Sequence, residues 1–338
     1  MKKRQFWLCL ALVFLIISVI LTALLEPTGI LRGFVAGDDF YRDRPTRYWR
    51  EVLRKEGQRG TISREIARQF WNNHAAFPVL RECAHDADRN VRWPAIALLG
   101  HGDARSEQIL SVLTSALEDE DMEVRLKAIS ALDHWGSMAC SAVPTLITRL
   151  QDSEMQVAHF ADIALWDIDQ SAAVAACGWR SFTSADWKFT VMLPGEPEHT
   201  VKPLPFDIPG VLHSFVIWHQ AGPYTAPTLY TIAIAEYPAE LLEGKSKADM
   251  LAMSRDVAVA GLGGKLVGEQ AIEQHGRKGM EHRIEVEGKG TLRTRLFWSG
   301  RRLYQVHVAG KPQFLNVRAA DYFMESFRLQ DGPPERAP

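Results

Sequence analysis

The stretch DADRNVRWPAIALLGH at residues 86–101 decides the fold, because it recurs twice further along the chain. The copies are DEDMEVRLKAISALDH at residues 119–134 and DSEMQVAHFADIALWD at residues 152–167, so equivalent positions are 33 residues apart each time. Five positions keep this register through all three copies, which chance rarely preserves. Each copy is therefore one supersecondary unit, and the region is predicted to be a stack of repeats.

Each copy is predicted to be a pair of short antiparallel helices joined by a polar turn. In the first copy Val91, Ala95 and Leu99 are four residues apart, which places them on one face of a helix. Asp88 precedes that helix, where a carboxylate can cap the first turn or face the positive end of the helix dipole. An earlier helix in each copy is marked by leucines at the same interval, Leu80, Leu113 and Leu146. Neither helix alone can bury its apolar face, so neighbouring pairs must stack.

Two kinds of residue define the motif: aspartates in the turns, and a valine in each following helix that is joined by an arginine in the first two copies. They are Asp86, Asp88, Val91, Arg92, Asp119, Asp121, Val124, Arg125, Asp152 and Val157. With this pattern the region resembles the short HEAT-like repeats of α-solenoids. The resemblance implies that each arginine of the Val-Arg pair contacts turn aspartates of an adjacent repeat. Ankyrin repeats share the period of 33 residues, but their Thr-Pro-Leu-His pattern does not occur in this sequence.

Two residues depart from the HEAT pattern. Ala158 stands in the third copy where the arginine is expected, which predicts an atypical unit at the end of the stack. Pro94 lies within the predicted helix of the first copy and should kink or delay it. Upstream, residues 44–54 and 63–71 are predicted as helices that cap the first repeat, so the helical region is expected to cover residues 44–177.

The N-terminus predicts a membrane anchor. Residues 6–25 contain no charge and would span roughly 30 Å as a helix, about the thickness of a bilayer core. The run ends without the small-x-small site of a cleaved signal peptide, so an uncleaved transmembrane signal anchor is expected over residues 1–25. Lys2, Lys3 and Arg4 predict a cytoplasmic N-terminus, a single pass through the inner membrane and an extracytoplasmic, periplasmic remainder. Residues 26–43 are interpreted as a linker.

The second half has a different periodicity. Alternating segments after Gly178 predict antiparallel strands, and two helices are predicted at residues 247–260 and 314–327, which together give an α+β domain over residues 178–330. The turns at residues 287–290 and 299–302 predict that the last three strands are hairpin neighbours. The opening segment 182–197, the strand at 302–306 and the closing segment 320–329 resemble the Mog1/PsbP-like fold. That resemblance implies an accessory or assembly role without shared catalytic residues. Residues 331–338 are expected to be a disordered tail.

Composition and motifs do not indicate chemistry. The net charge of −2 gives no electrostatic argument for nucleic-acid binding. Nucleotide-binding, serine-hydrolase and zinc-protease motifs are missing from the sequence, and the four cysteines lack metal or redox spacing. No catalytic residue, metal ligand or cofactor is therefore predicted. Histidines on the strands, such as His213, His219, His282 and His307, are interpreted as structural or solvated.

One candidate contact patch remains, a group of arginines around the last hairpins that could meet an acidic partner or lipid head groups, with an ordinary solvated sheet face as the alternative. Its members are Arg283, Arg293, Arg295, Arg301 and Arg302. The sequence thus predicts a non-enzymatic, membrane-tethered scaffold whose HEAT-like repeats bind a protein partner outside the cytoplasm. Two alternatives stay open: an accessory protein that binds a small ligand or lipid through the α+β domain, and an enzyme similar to the HEAT-like phycobilin lyases.

Overall fold

The structure is a computed structural model. It describes residues 13–18, 21, 29–71, 73–102, 105–204, 208–220, 227–312 and 315–330. Contacts divide the chain into two compact units, Met1–Thr145 and Leu146–Pro338.

The first unit is built from short helices. Its elements are α1 (Ile30–Ala36), β1 (Phe40–Tyr41), β2 (Arg44–Pro45), α2 (Thr46–Arg59), α3 (Arg64–Phe70), α4 (Phe77–Ala84), α5 (Arg89–His101), α6 (Glu107–Ala116) and α7 (Met122–Trp135). The pairs α4–α5 and α6–α7 are the first two copies of the repeat, and their helices begin after the acidic pairs as predicted. The two upstream helices are α2, which runs on to Arg59, and α3. The stretch predicted as a linker is not featureless, because it contains α1 and β1.

Side chains at the helix starts explain why the helices begin where they do. Asp88 Oδ1 accepts a hydrogen bond from Asn90 N at 2.9 Å, and Asp121 Oδ1 accepts one from Glu123 N at 3.0 Å. These bonds satisfy backbone N–H groups that have no partner inside the helix. The prediction that Pro94 delays α5 is wrong, because the cap at Asp88 starts the helix at Arg89.

Close helix packing in the first unit depends on two glycines. A Cβ atom on Gly57 of α2 would lie 2.0 Å from Asn90 O of α5, and one on Gly100 of α5 would lie 2.1 Å from Ala131 Cβ of α7. Larger residues at these positions would push the helices apart. The helix α2 therefore occupies the place that the second helix of a preceding repeat would take.

The second unit combines helices with a large antiparallel sheet. Its helices are α9 (Met155–Ile168), α10 (Gln170–Ala176), α11 (Lys247–Leu262) and α12 (Val317–Ser326), and the division between the units falls within α8 (Val143–Arg149). Its strands are β3 (Arg180–Ser184), β4 (Phe189–Leu193), β5 (Glu198–Pro203), β6 (Val211–His219), β7 (Thr228–Glu236), β8 (Lys265–Gln274), β9 (Arg277–Val286), β10 (Gly290–Ser299), β11 (Arg302–Gly310) and β12 (Arg328–Leu329).

The strands form two sheets, and every strand pair in them is antiparallel. Seven strands follow the order β5-β6-β7-β11-β10-β9-β8, and three follow the order β12-β4-β3. The helix α11 packs on one face of the large sheet, where Met250 and Leu251 share a core with Leu296 and Leu303. On the opposite face the α12 residue Phe323 contacts the ring of Tyr230. The predicted antiparallel α+β domain is confirmed, including the hairpins β9–β10 and β10–β11.

The predicted domain boundary and the division by contacts differ. Helices give way to strands between Ala176 and Arg180, near the predicted boundary, whereas the division lies between residues 145 and 146. The reason is that α9 packs on α12, where Asn316 donates to Asp162 at 2.8 Å. The last predicted helix pair therefore belongs largely to the same compact unit as the sheets, and the boundary at residue 177 stays a prediction.

The structure contradicts the predicted transmembrane helix. Within the described residues, no helix is both long and apolar enough to cross a membrane. This finding contradicts the predicted signal anchor and the single-pass inner-membrane location with a periplasmic remainder, and it gives no support to the membrane as a partner. The rest of the N-terminal run, except residue 21, and the tail 331–338 lie outside the described residues.

Candidate functional site

The two repeat turns of the first unit are built alike around a pair of carboxylates. The first carboxylate of each pair bridges the turn, because Asp86 accepts from Asp88 N and Asp119 from Asp121 N, both at 2.8 Å. The second carboxylate caps the next helix. The pKa of Asp88 is lowered, chiefly by the backbone N–H that it accepts. The turns thus carry fixed negative charge at neutral pH.

Arg92 joins the first turn to the second. Its Nη2 donates to Asp119 Oδ1 at 2.9 Å, and its Nε lies 2.8 Å from Asp119 Oδ2 in an ion pair. Its Nη1 donates to the backbone carbonyls of Asp86 and Ala87, at 3.0 Å each. Nη2 also lies 3.2 Å from Glu120. One buried guanidinium therefore fixes both turns at once.

The neighbouring motif residues repeat part of this arrangement. Arg125 Nη1 donates to the carbonyls of Asp119 and Glu120 at 2.8 and 3.1 Å, as Arg92 does one repeat earlier. Arg89 adds an ion pair with Asp121 at 2.8 Å. The motif valines Val91, Val124 and Val157 are fully buried. In the third copy Asp152 Oδ1 accepts from Glu154 N at 3.0 Å, and Ala158 is buried where the other copies have arginine.

The helix α2 extends the set of ion pairs upstream, which the sequence analysis did not foresee. Arg50 lies 2.5 Å from Asp86 and 3.0 Å from Glu82, and Arg54 lies 2.7 Å from Asp88. The available signal was the spacing of four between the two arginines, which puts them on one helix face. The first turn is therefore held by arginines from α2 as well as by Arg92.

A groove opens between these turns, with a volume of about 350 Å³. Its walls come from the end of α4, the end of α6 and both turns. They consist of Ala84, His85, Asp86, Arg92, Val112, Ser115, Ala116, Asp119 and Glu120. Among the lining residues, the guanidinium of Arg92 pairs with both Asp119 and Glu120. The Glu120 carboxylate is 86% exposed, so the groove offers an accessible negative charge beside small apolar side chains.

The five arginines of the predicted contact patch do not share one environment. Arg293 and Arg295 both pair with the buried Glu281, at 2.9 and 2.6 Å. Burial alone would raise the pKa of Glu281, but hydrogen bonds from the two arginines hold it below its usual value. Arg293 also pairs with Asp321 of α12. These two residues are thus engaged in an internal network between sheet and helix.

Of the other members, Arg283 and Arg301 are exposed and Arg302 is half-buried. Arg301 and Arg302 lie 3.5 and 3.4 Å from Glu236. Arg302 also stacks over Trp187, with 4.8 Å between guanidinium carbon and ring centre. A contact role for the patch stays a prediction.

Among the described residues, no group of three or more His, Cys, Asp or Glu side chains has the geometry of a metal site. His213 lies 3.2 Å from His199, and His219 packs against Trp179 and Tyr230. Burial lowers the pKa of His219 to about 4, so its ring is neutral at pH 7.

A buried carboxylate in the second unit was missed by the sequence analysis. Asp162 of α9 accepts from Asn316 Nδ2 at 2.8 Å and lies 3.7 Å from the Cys177 thiol. Burial raises the pKa of Asp162 and raises that of Cys177 to about 12. In sequence, Asp162 falls on the apolar side of a repeat helix, and that position was the one available signal. The arrangement connects α9 to α12.

A second open groove, of about 460 Å³, follows one stripe of α11. It is lined by Asp249, Ala252, Met253, Asp256, Val257 and Ala260. Its polar lining residues are two aspartates of the same helix, so it does not show the convergent polar groups of a typical small-ligand pocket.

The comparisons with known proteins identify the class of the helical region. A family model described as HEAT repeats matches residues 77–166. The region that holds the predicted copies is thus a HEAT-repeat region, as the Val-Arg motif predicted. Comparison with curated proteins gives no match.

The solved structures that are similar to the chain include the following three. Cyanobacterial PsbP (CyanoP) from Synechocystis sp. PCC 6803 is 12% identical, with 45% of this chain and 93% of CyanoP covered and a TM-score of 0.32. An engineered protein is 20% identical, with 39% of this chain and 62% of that protein covered and a TM-score of 0.28. PA94 from Pseudomonas aeruginosa, a protein of unknown function, is 17% identical, with 46% of this chain and 98% of PA94 covered and a TM-score of 0.27. A PsbP structure therefore appears among the similar proteins, as the predicted resemblance implied. At these scores the likeness adds nothing about function.

Proposed function

We propose that this chain is a non-enzymatic interaction scaffold, and that the groove between the two repeat turns of its first unit binds a protein partner. The observation that carries the proposal is the carboxylate of Glu120, which has one ion pair, with Arg92 at 3.2 Å, and is 86% exposed at the edge of the groove. An accessible charge next to a preformed apolar wall is suited to binding a side chain of opposite sign. No chemical reaction is part of the proposal.

Rigidity of the turns supports this function. Arg92 contacts two carbonyls of one turn and a carboxylate of the other, so the groove walls are fixed before a partner arrives. A binding surface that is already ordered loses less conformational entropy on association. Helical repeat stacks commonly use such fixed surfaces for recognition.

The lining suggests the chemistry of the partner. Asp86, Asp119 and Glu120 surround the groove with negative charge, while Val112 and Ala116 form its apolar wall. A segment that presents a lysine or arginine next to a small apolar residue fits both features. An ion pair between Glu120 and that lysine or arginine would be exposed, so it would contribute more to specificity and to the association rate than to affinity.

Site-specific photo-crosslinking in cells tests the proposal. A photoreactive amino acid replaces Ser115 in the groove, and a control chain carries it at Ser130, which is exposed on α7 and lies outside the groove lining. We expect a discrete adduct from position 115 only. Equal adducts from both positions, or none from position 115, would contradict the proposal.

A charge variant sharpens the test. Glu120→Lys reverses the exposed charge of the groove, whereas Glu118→Lys reverses an exposed charge of the same turn outside the groove lining. The adduct at position 115 should be lost with Glu120→Lys and kept with Glu118→Lys. If both variants reduce it equally, general electrostatic attraction explains the capture and the groove does not.

A further inference from the structure

The strand β5 forms one end of the seven-stranded sheet in the described part of the chain. Leu204 N donates to Gly210 O at 3.2 Å, and the β5–β6 register pairs Thr200 with Ser214. Because hydrogen-bonded positions alternate along an antiparallel pair, Thr200 and Lys202 direct their backbone groups toward β6. His199, Val201 and Pro203 direct theirs away from the sheet. Pro203 has no N–H to offer, which suits an outward position.

Side chains of β5 alternate between the two faces of the sheet. Glu198, Thr200 and Lys202 lie on one face, and His199 and Val201 lie on the other. The His199 ring stacks on Phe215 with 4.4 Å between ring centres and 5° between planes, which fixes that side of the strand. Val201 is 54% exposed, an apolar side chain on an otherwise polar edge.

We propose that two copies of this chain pair through β5, antiparallel and around a two-fold axis at Thr200. In this register His199 of each copy faces Val201 of the other, and each such pair exchanges both backbone bonds, about four hydrogen bonds in all. Glu198 of each copy faces Lys202 of the other, which gives two cross-strand pairs of opposite charge. Both copies of Val201 become covered.

Charge complementarity selects this register among those that bring outward-facing backbone groups together. Shifting one strand by two residues keeps backbone hydrogen bonds but places Glu198 or Lys202 opposite Thr200, so both Glu198–Lys202 pairs are lost. One of the two shifts brings Lys202 opposite Glu196, which lies outside β5 and already pairs with Arg180 at 3.0 Å.

The two-fold axis also limits the assembly to a dimer. Each copy pairs its β5 edge with that of the other copy, so neither has a second β5 edge for a third copy. Pro197 and Pro203 bracket the segment and limit pairing to these residues.

Cysteine crosslinking of the full chain tests the axis. Facing residues in a non-hydrogen-bonded pair have Cα atoms about 4.5 Å apart, within disulfide range. Thr200→Cys places two thiols at this position, whereas Lys202→Cys places them about 13 Å apart, four residues along the strands. With copper phenanthroline as oxidant we expect a covalent dimer of twice 38.0 kDa from Thr200→Cys. Lys202→Cys and the unmodified chain, which contains the exposed Cys140, should not give it.

Charge exchange measured by sedimentation equilibrium provides the second test. Glu198→Lys or Lys202→Glu alone turns both opposite-charge pairs into like-charge pairs and should weaken dimerisation roughly tenfold. The double variant restores both pairs and should return the dissociation constant to within about threefold of the starting value. A monomer at every concentration, equal crosslinking of Thr200→Cys and Lys202→Cys, or a double variant as weak as the single ones would overturn the proposal.

Discussion

Replacing Arg92 with alanine should open the first unit locally. The residue is 7% exposed, and its removal leaves Asp119 without its cation and two turn carbonyls without a donor. Truncating one partner of a buried ion pair typically costs 3–5 kcal/mol. Asp119 keeps the hydrogen bond from Asp121 N, so we expect the lower end, about 3 kcal/mol. That loss corresponds to roughly a hundredfold faster exchange of protected amides.

Hydrogen exchange measured by mass spectrometry reports this change, because peptides from residues 77–135 can be followed separately from the second unit. Arg89→Ala is the matched control. It removes an arginine that pairs with Asp121 in the same turn but is 63% exposed, so it should change exchange little. The double variant Arg92→Ala with Asp119→Ala should cost less than the sum of its single changes, since no uncompensated carboxylate remains. If Arg92→Ala behaves like Arg89→Ala, the turns are not held by this guanidinium.

Three further outcomes follow from packing and ionisation. Gly100→Val should destabilise the first unit by about 1–3 kcal/mol in urea denaturation, because no room exists for a Cβ atom between α5 and α7. Burial lowers the folded-state pKa of His219 to about 4, below its unfolded value near 6.5. Its contribution to stability is therefore full above about pH 6.5 and lost as the pH falls toward 4, and His219→Phe should flatten this part of a plot of melting temperature against pH. Burial raises the pKa of Asp162, so the protonated form is favoured in the folded state and stability falls as the pH rises through that range. Asp162→Asn should melt higher than the unmodified chain at pH 7 and equally at low pH, whereas Asp167→Asn, at an exposed ion pair, should show no such gain.

The helical repeats were predictable because their signals are local. Caps such as Asp88 and the spacing of Val91, Ala95 and Leu99 act within one helix, and the fixed interval of 33 residues repeats them. The alternation in β9, β10 and β11 and their short turns also carried enough local information.

Features that depend on distant parts of the chain were missed. The role of Arg50 and Arg54 depends on carboxylates more than thirty residues away, and the groove at Glu120 exists only once two turns are placed side by side. The strand β5 was missed because Glu198 to Pro203 is polar and flanked by prolines, as an edge strand tolerates. The membrane anchor was predicted from the uncharged run at residues 6–25 and its missing cleavage site, and the described helices do not support it.

The ion pairs between successive repeats in the first unit run in one direction. Arg50 and Arg54 in α2 reach forward to the turn before α5, and Arg89 and Arg92 in α5 reach forward to the turn before α7. During synthesis, each arginine therefore leaves the ribosome before the carboxylate that it will bind. Every new turn meets a cationic edge that has already been made, so the stack can grow from its amino end as the chain emerges.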